Sequence, residues 1–143
     1  NEIIDICITE AGKTRPDAEA ELDRAVQALT NASAVQHFYP SHLSPNVAGG
    51  IDIADRRYPI GVIAGVGPFN FPILIPILHS AMALVTGNTY IAKPSEKVPS
   101  ISRLYGDIYK ESGLPDGCYN VVNGSKEIVE HLVCQLSQHI HLC

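Results

Sequence analysis

The sequence predicts an α/β fold, an open parallel sheet with crossover helices, incomplete as it stands. Two observations carry this. After Pro59, short apolar runs alternate with helical patterns in the order strand, helix, strand, helix, strand, helix. Strands separated in this way run parallel, because a helical crossover returns the chain to the same end of the sheet. Residues 138–143 then read as the start of a fourth strand, an odd place for a finished domain to stop.

The elements follow in order. Over residues 15–30, Ala18, Leu22, Ala25, Val26 and Leu29 keep helical spacing, with Pro16 in the first turn, where its missing N–H costs nothing. This is a surface helix with one buried stripe. Residues 37–50 carry Pro40, Pro45, Asn46, Gly49 and Gly50 and read as a loop or boundary. Residues 51–58 alternate loosely, as an exposed strand leading to Pro59 would. Residues 60–66 form a strand buried on both faces. Residues 72–85 form a helix apolar nearly all round, and therefore covered. Residues 89–92 are a second strand. Ile101, Leu104, Tyr105 and Ile108 mark an amphipathic helix that Gly113 and Pro115 terminate. Residues 118–122 make a third strand, and Ile128, Val129, Leu132, Val133 and Leu136 another helix.

Composition narrows the class. The 143 residues are 45 % hydrophobic and 17 % charged, enough for one folded domain and against wholesale disorder. Ten basic and fifteen acidic side chains leave a net charge of −5, which argues against a nucleic-acid binder. Residues 60–85 are too broken by Gly61, Gly65, Gly67, Pro68, Pro72 and Pro76 for a bilayer helix, so no membrane association is expected. No charged-then-apolar leader follows Asn1. Cys7, Cys118, Cys134 and Cys143 form no C-x-x-C pair, as expected of a reduced, intracellular protein, and read as small apolar residues or surface thiols.

A nucleotide site is the default expectation at the carboxyl ends of parallel strands. Gly65-Val66-Gly67 begins the usual G-x-G-x-x-G, but Asn70 stands where the last glycine should be. Two longer stretches are more specific: Gly67-Pro68-Phe69-Asn70-Phe71-Pro72, and Gly87-Asn88-Thr89-Tyr90-Ile91-Ala92-Lys93-Pro94-Ser95-Glu96-Lys97-Val98-Pro99. With Glu10-Ala-Gly-Lys-Thr-Arg-Pro-Asp17, Gly113-Leu-Pro-Asp-Gly117 and Asn120-Val-Val-Asn-Gly124, they resemble the aldehyde dehydrogenase superfamily. Within it, the Pro-Phe-Asn-Phe-Pro form and Lys-Pro-Ser-Glu-Lys-Val-Pro look most like the CoA-acylating methylmalonate-semialdehyde branch. The resemblance runs from about residue 8 to residue 132.

It implies a partial, Rossmann-like NAD-binding domain over residues 60–143, preceded by a helical segment and loop (1–50) and an oligomerisation strand (51–59). Asn70 would donate a hydrogen bond to the oxygen that becomes negative as a thiolate attacks an aldehyde, a contribution of about 3–4 kcal/mol in comparable sites. By residue type alone the leading reading of Asn70 is a cap for the helix near Pro72, and only with the resemblance does the donor role lead. Lys93 and Glu96 would hold the adenosine ribose of NAD, whose hydroxyls can donate to one and accept from the other. Without the resemblance they read as an exposed ion pair of little energetic value. Lys97 stands where the branch often has Arg, which weakens its cofactor contact. Gly67 and Phe69 would offer backbone and ring surface to the cofactor, or be turn and core residues.

His139-x-His141-x-Cys143 would project from one face of a strand, but no fourth ligand accompanies it and no metal is expected. His37, His42, His79 and His131 read as surface or satisfied core residues. No cysteine here matches the family's nucleophile motif, and its Phe-Val-Gly-Ser phosphate turn is absent. The expectation is therefore the amino-terminal part of an NAD-dependent enzyme that oxidises a (methyl)malonate-type semialdehyde to an acyl-CoA, with CoA as co-substrate. The whole enzyme would be a homo-oligomer of the mitochondrial matrix or bacterial cytoplasm, and this part would be inactive alone, with an unpaired sheet edge. Two alternatives stand beside it: a non-acylating aldehyde dehydrogenase fragment, and a catalytically dead interaction protein that binds full-length subunits.

Overall fold

The computed structural model describes residues 1–38 and 40–142, with side chains for all of these except residue 36 and residues 136–142. Two helices open the chain. α1 (Glu2–Ala11) starts at Asn1, whose side chain accepts from the Ile3 N–H, and stops at Gly12 in the left-handed conformation. α2 (Arg15–Ser33) is capped by Thr14 and carries Pro16 in its first turn. Its buried stripe is not quite the expected one. Ala18 and Ala25 are buried, but Glu21 lies between them, while Val26 and Leu29 face solvent.

A short helix, α3 (Val35–Phe38), and strand β1 (Leu43–Ala48) replace most of the loop expected over residues 37–50. β1 pairs antiparallel with β2 (Ile51–Ala54), and the register shifts between Ser44 and Ala48. Pro45 and Asn46, the latter at φ 52°, sit in that irregular stretch, and for this reason the segment has the composition of a loop. Both strands are exposed along their whole length.

The remaining strands form one parallel sheet in the order β5-β4-β3-β6. They are β3 (Val62–Val66), β4 (Thr89–Lys93), β5 (Tyr119–Val121) and β6 (Ile140–Leu142). The crossovers are α4 (Leu74–Val85), α5 (Ser100–Glu111) and α6 (Lys126–His139). With right-handed connections, the outward steps put α4 and α5 on one face, and the return to β6 puts α6 on the other. α1 and α2 cover α4 and α5 through a core of Ile4, Cys7, Ala18, Ala25, Ile73, Ile77, Ile101 and Tyr105. A second cluster, Ile63, Ala83, Tyr90 and Ala92, joins α4 to the sheet. The expected strands and crossover helices are all present, and the partial Rossmann-like sheet is as expected. Between these two packed faces α4 keeps one open stripe, for Leu78, Met82 and Val85 line an open apolar groove of about 760 Å³ with Tyr58 and Ile60.

Asn88 ties the entry of β3 to the end of α4. Its Oδ1 accepts from the N–H groups of Ile60 (2.8 Å) and Gly61 (2.9 Å), and its Nδ2 donates to the Ala83 carbonyl and the Thr86 hydroxyl. Asn88→Ala takes the side-chain acceptor from the Ile60 and Gly61 N–H groups, while the Ala83 carbonyl keeps the Asn88 backbone N–H and the Thr86 hydroxyl as donors. A loss of about 1–2 kcal/mol is expected in urea unfolding, while Asn88→Asp, which keeps both acceptor bonds, loses less.

His79 is half-buried on α4, and its Nδ1 has no hydrogen-bond partner. It is therefore not a satisfied core histidine. Burial alone pushes its pKa down and keeps the ring neutral. Cys7 is buried, Cys118 half-buried and Cys134 exposed. The side chains of His139 and His141, and all of Cys143, lie outside the described residues.

Candidate functional site

The parallel register brings the ends of β3 and β4 side by side, with Val66 opposite Lys93. The first residue past β3, Gly67, donates its N–H to the Lys93 carbonyl at 2.9 Å. The turn that follows β3 and the turn that follows β4 therefore start from one point. This is the carboxyl edge where open α/β sheets bind ligands.

On the second turn, Lys93 is 4 % exposed and Glu96 is open to solvent. The Lys93 Nζ lies 3.6 Å from the Glu96 carboxylate. Glu96 accepts a hydrogen bond from its own backbone, and this bond, with Lys93 second, holds its carboxyl below the usual range. The pair is not a simple surface ion pair, because its cation is buried while its anion faces outward.

On the first turn, Phe69 is half exposed, and the Lys97 ammonium stands 4.8 Å from its ring centroid. This contact joins the two turns. A Cβ on Gly67 would meet nothing closer than Pro76 Cγ at 3.7 Å, so crowding within the chain does not explain a glycine there. The backbone there is open to approach. A buried ammonium beside an exposed carboxylate, a bare backbone and an open aromatic face together fit a ribose and the flat rings of a dinucleotide.

Asn70 is exposed at the tip of the first turn. It does not cap the following helix. α4 takes Ile73 as its N-cap, with no side-chain cap from its own segment. The cap comes instead from Glu21 of α2, which is 3 % exposed. Its Oε1 accepts from the Ile73 and Leu74 N–H groups, each at 2.8 Å, and its Oε2 pairs with Lys13. α5 is treated alike. Pro99 offers it no side-chain cap, and Glu10 of α1 accepts from both the Ser100 N–H and the Ser100 hydroxyl.

These carboxylates answer the incomplete glycine fingerprint. In the usual arrangement a pyrophosphate sits on the helix that follows the first strand. Here that helix start already holds an anionic side chain, and the Ile75 N–H is bonded to the Phe71 carbonyl. Gly65, in turn, is a packing glycine, for a Cβ there would lie 1.7 Å from the Tyr90 hydroxyl. Neither the α4 terminus nor Gly65 serves a phosphate.

Glu10, Lys13 and Glu21 were not legible as site residues. Glu10 and Lys13 stood only within the Glu10–Asp17 stretch that resembles the family, and the signal for Glu21 is a carboxylate between Ala18 and Ala25, on the helix face that should be apolar. Among the described residues no three His, Cys, Asp or Glu side chains cluster as a metal would require. No helix among them is long and apolar enough to cross a membrane.

Comparison with known proteins gives the family. The aldehyde dehydrogenase family model matches residues 1–141. The malonate-semialdehyde dehydrogenase of Bacillus cytotoxicus is 38 % identical over 133 residues, which cover 93 % of this chain and 27 % of that protein. A Caenorhabditis elegans mitochondrial protein, assigned as an acylating methylmalonate-semialdehyde/malonate-semialdehyde dehydrogenase, is 42 % identical over 86 % of this chain and 24 % of its own length. Among solved structures, the methylmalonate-semialdehyde dehydrogenase of Oceanimonas doudoroffii superposes with a TM-score of 0.89 at 41 % identity, over 92 % of this chain and 27 % of that one. A Sinorhizobium meliloti 1021 protein assigned to the same activity, solved in complex with NAD, gives 0.88 at 38 % identity, over 91 % and 26 %. The chain thus spans about a quarter of the length of the relatives it matches. On this evidence the chain belongs to the aldehyde dehydrogenase family.

Proposed function

We propose that this chain supplies the carbonyl-oxygen donor and the ribose grip of an NAD-dependent, CoA-acylating malonate- or methylmalonate-semialdehyde dehydrogenase. The observation that carries the reading is the meeting of two turns at one sheet edge: Asn70 on the first and Lys93 with Glu96 on the second, joined by the Gly67–Lys93 hydrogen bond and the Phe69–Lys97 contact. Support for the substrate class, for acylation and for NAD comes from the names of the Bacillus, Caenorhabditis and Sinorhizobium relatives.

Bound NAD would supply the hydride acceptor. Lys93 and Glu96 bind the sugar diol, one donating and the other accepting, while Gly67 and Phe69 line its approach. The Asn70 amide donates to the substrate carbonyl oxygen as negative charge develops on it. None of the four cysteines matches the family's nucleophile motif, so this reading takes the attacking thiolate from outside these residues. Cys7 is fully buried, and burial, with the Glu21 charge second, pushes its thiol up, the opposite of what a nucleophile needs.

The same reading covers partners and place. A two-stranded ribbon is marginal by itself, so the exposed β1–β2 pair, with Leu43, Val47, Ile51 and Ile53 outward, is completed by another copy in a homo-oligomer. Bacterial cytoplasm or mitochondrial matrix is the compartment that the relatives' sources favour.

The test joins this chain to the downstream part of the Bacillus cytotoxicus relative and follows NADH formation with malonate semialdehyde. Activity is expected, dependent on CoA, with Asn70→Ala lowering kcat by about 10²–10³-fold. An unchanged kcat in Asn70→Ala overturns the donor role. Turnover that persists without CoA assigns the hydrolytic branch instead.

A further inference from the structure

The stretch that follows Asn70 is held by three side chains from other elements. Glu21 accepts from the Ile73 and Leu74 N–H groups at 2.8 Å. The Tyr105 hydroxyl donates to the Ile73 carbonyl at 2.9 Å. Lys13 pairs with Glu21, and its ammonium stands 4.6 Å from the Phe71 ring centroid. Residue 73 thus has both its N–H and its carbonyl fixed by side chains.

A buried carboxylate with a lysine partner is a costly way to cap a helix, since two charges lose water. A far cheaper cap is at hand. Asn is a favoured N-cap, and a capping side chain reaches the N–H two or three residues on, which from Asn70 includes Ile73. Yet the Asn70 side chain is exposed and the Ile73 N–H belongs to Glu21.

We propose that the Lys13–Glu21 pair is a positioning device that occupies the amino-terminal N–H groups of α4, so that they cannot recruit the Asn70 side chain away from the substrate. The proposal rests on the reading of Asn70 as the carbonyl-oxygen donor. Glu21 acts through Asn70 and touches no substrate. Removing its carboxylate frees the Ile73 N–H, which then draws the Asn70 carbonyl oxygen into a local cap.

Amide hydrogen exchange at Ile73 in the labelled 143-residue chain tests this. In the native background, Asn70→Ala should leave the Ile73 rate unchanged. In a Glu21→Ala background, adding Asn70→Ala should speed Ile73 exchange about tenfold further, the worth of one capping bond. The Asn70 carboxamide resonance should shift in Glu21→Ala and return to its native position in Glu21→Gln, which keeps an acceptor for both N–H groups. Equal Ile73 rates in Glu21→Ala with and without Asn70 overturn the proposal. Should Glu21→Ala not fold, Lys13→Met loosens the same carboxylate, and the same dependence on Asn70 is expected, with its absence again decisive. In the chimeric enzyme, Glu21→Ala should lower kcat and leave KM near its native value, with Glu21→Gln restoring activity. The exchange comparison is independent of turnover. It can fail while Asn70→Ala still abolishes activity, and the donor reading can fail while the exchange result stands.

Discussion

Unfolding by alkali should be steep once the pH passes about 10, the value of an unperturbed tyrosine. Burial raises the phenol pKa values of Tyr105, Tyr109 and Tyr119, and the negative charge of Glu21 adds to the effect at Tyr105. Tyr105 donates to the Ile73 carbonyl and Tyr119 to the Ser102 carbonyl, bonds that a phenolate cannot make. The sign follows from linkage. A folded-state pKa raised above the unfolded one gives stability that is fully present below pH 10 and is lost as the pH climbs toward the folded value. A strongly raised phenol contributes a slope of about 1.4 kcal/mol per pH unit, so Tyr105 and Tyr119 together take about 3 kcal/mol per unit from a domain of ordinary stability. Urea midpoints measured between pH 8 and 12 should fall accordingly, and Tyr119→Phe should lower the slope by one proton's worth. Midpoints that stay level through pH 11 would show these rings to be accessible to water.

Gly65→Ala should be the most damaging small substitution in the sheet. The new Cβ would lie 1.7 Å from the Tyr90 hydroxyl and 2.6 Å from its Cζ. Tyr90 cannot retreat, being 1 % exposed and stacked on Tyr119 with centroids 5.8 Å apart. Either β3 shifts or the ring leaves its place, at a cost of about 3 kcal/mol. Tyr90→Phe would not cure this, because the ring carbon still clashes. Tyr90→Leu should, making the pair strongly non-additive in denaturant unfolding. The effect extends to the site, since the β3–β4 register at Val66 and Lys93 sets where the Asn70 turn begins. Independent, additive losses at the two positions would show the strand to be looser than its packing implies.

The alternating core of the fold was legible because its causes are local. β3, β4 and α5 announce themselves through apolar runs and helical spacing inside each segment. The expected site residues at the carboxyl edge came from motifs that resemble the family, for by residue type alone Asn70 reads as a helix cap and Lys93 with Glu96 as a surface ion pair. Residues 43–48 were not legible as a strand, since their pairing with β2 tolerates Pro45 and a shifted register that no short window displays. Nor was the open stripe of α4, for a helix apolar all round does not say which neighbours exist to cover it.

What the sequence by itself determined is the order of the strands and helices and the kinds of side chain brought to the sheet edge. Tertiary structure alone decided which of them is free to act. Glu21 reaches the start of α4 across 52 positions of chain, and Glu10 reaches the start of α5 across 90. A helix end needs acceptors for its N–H groups but does not specify where they come from. Here that open requirement is met from afar, and Asn70 is left outward for that reason.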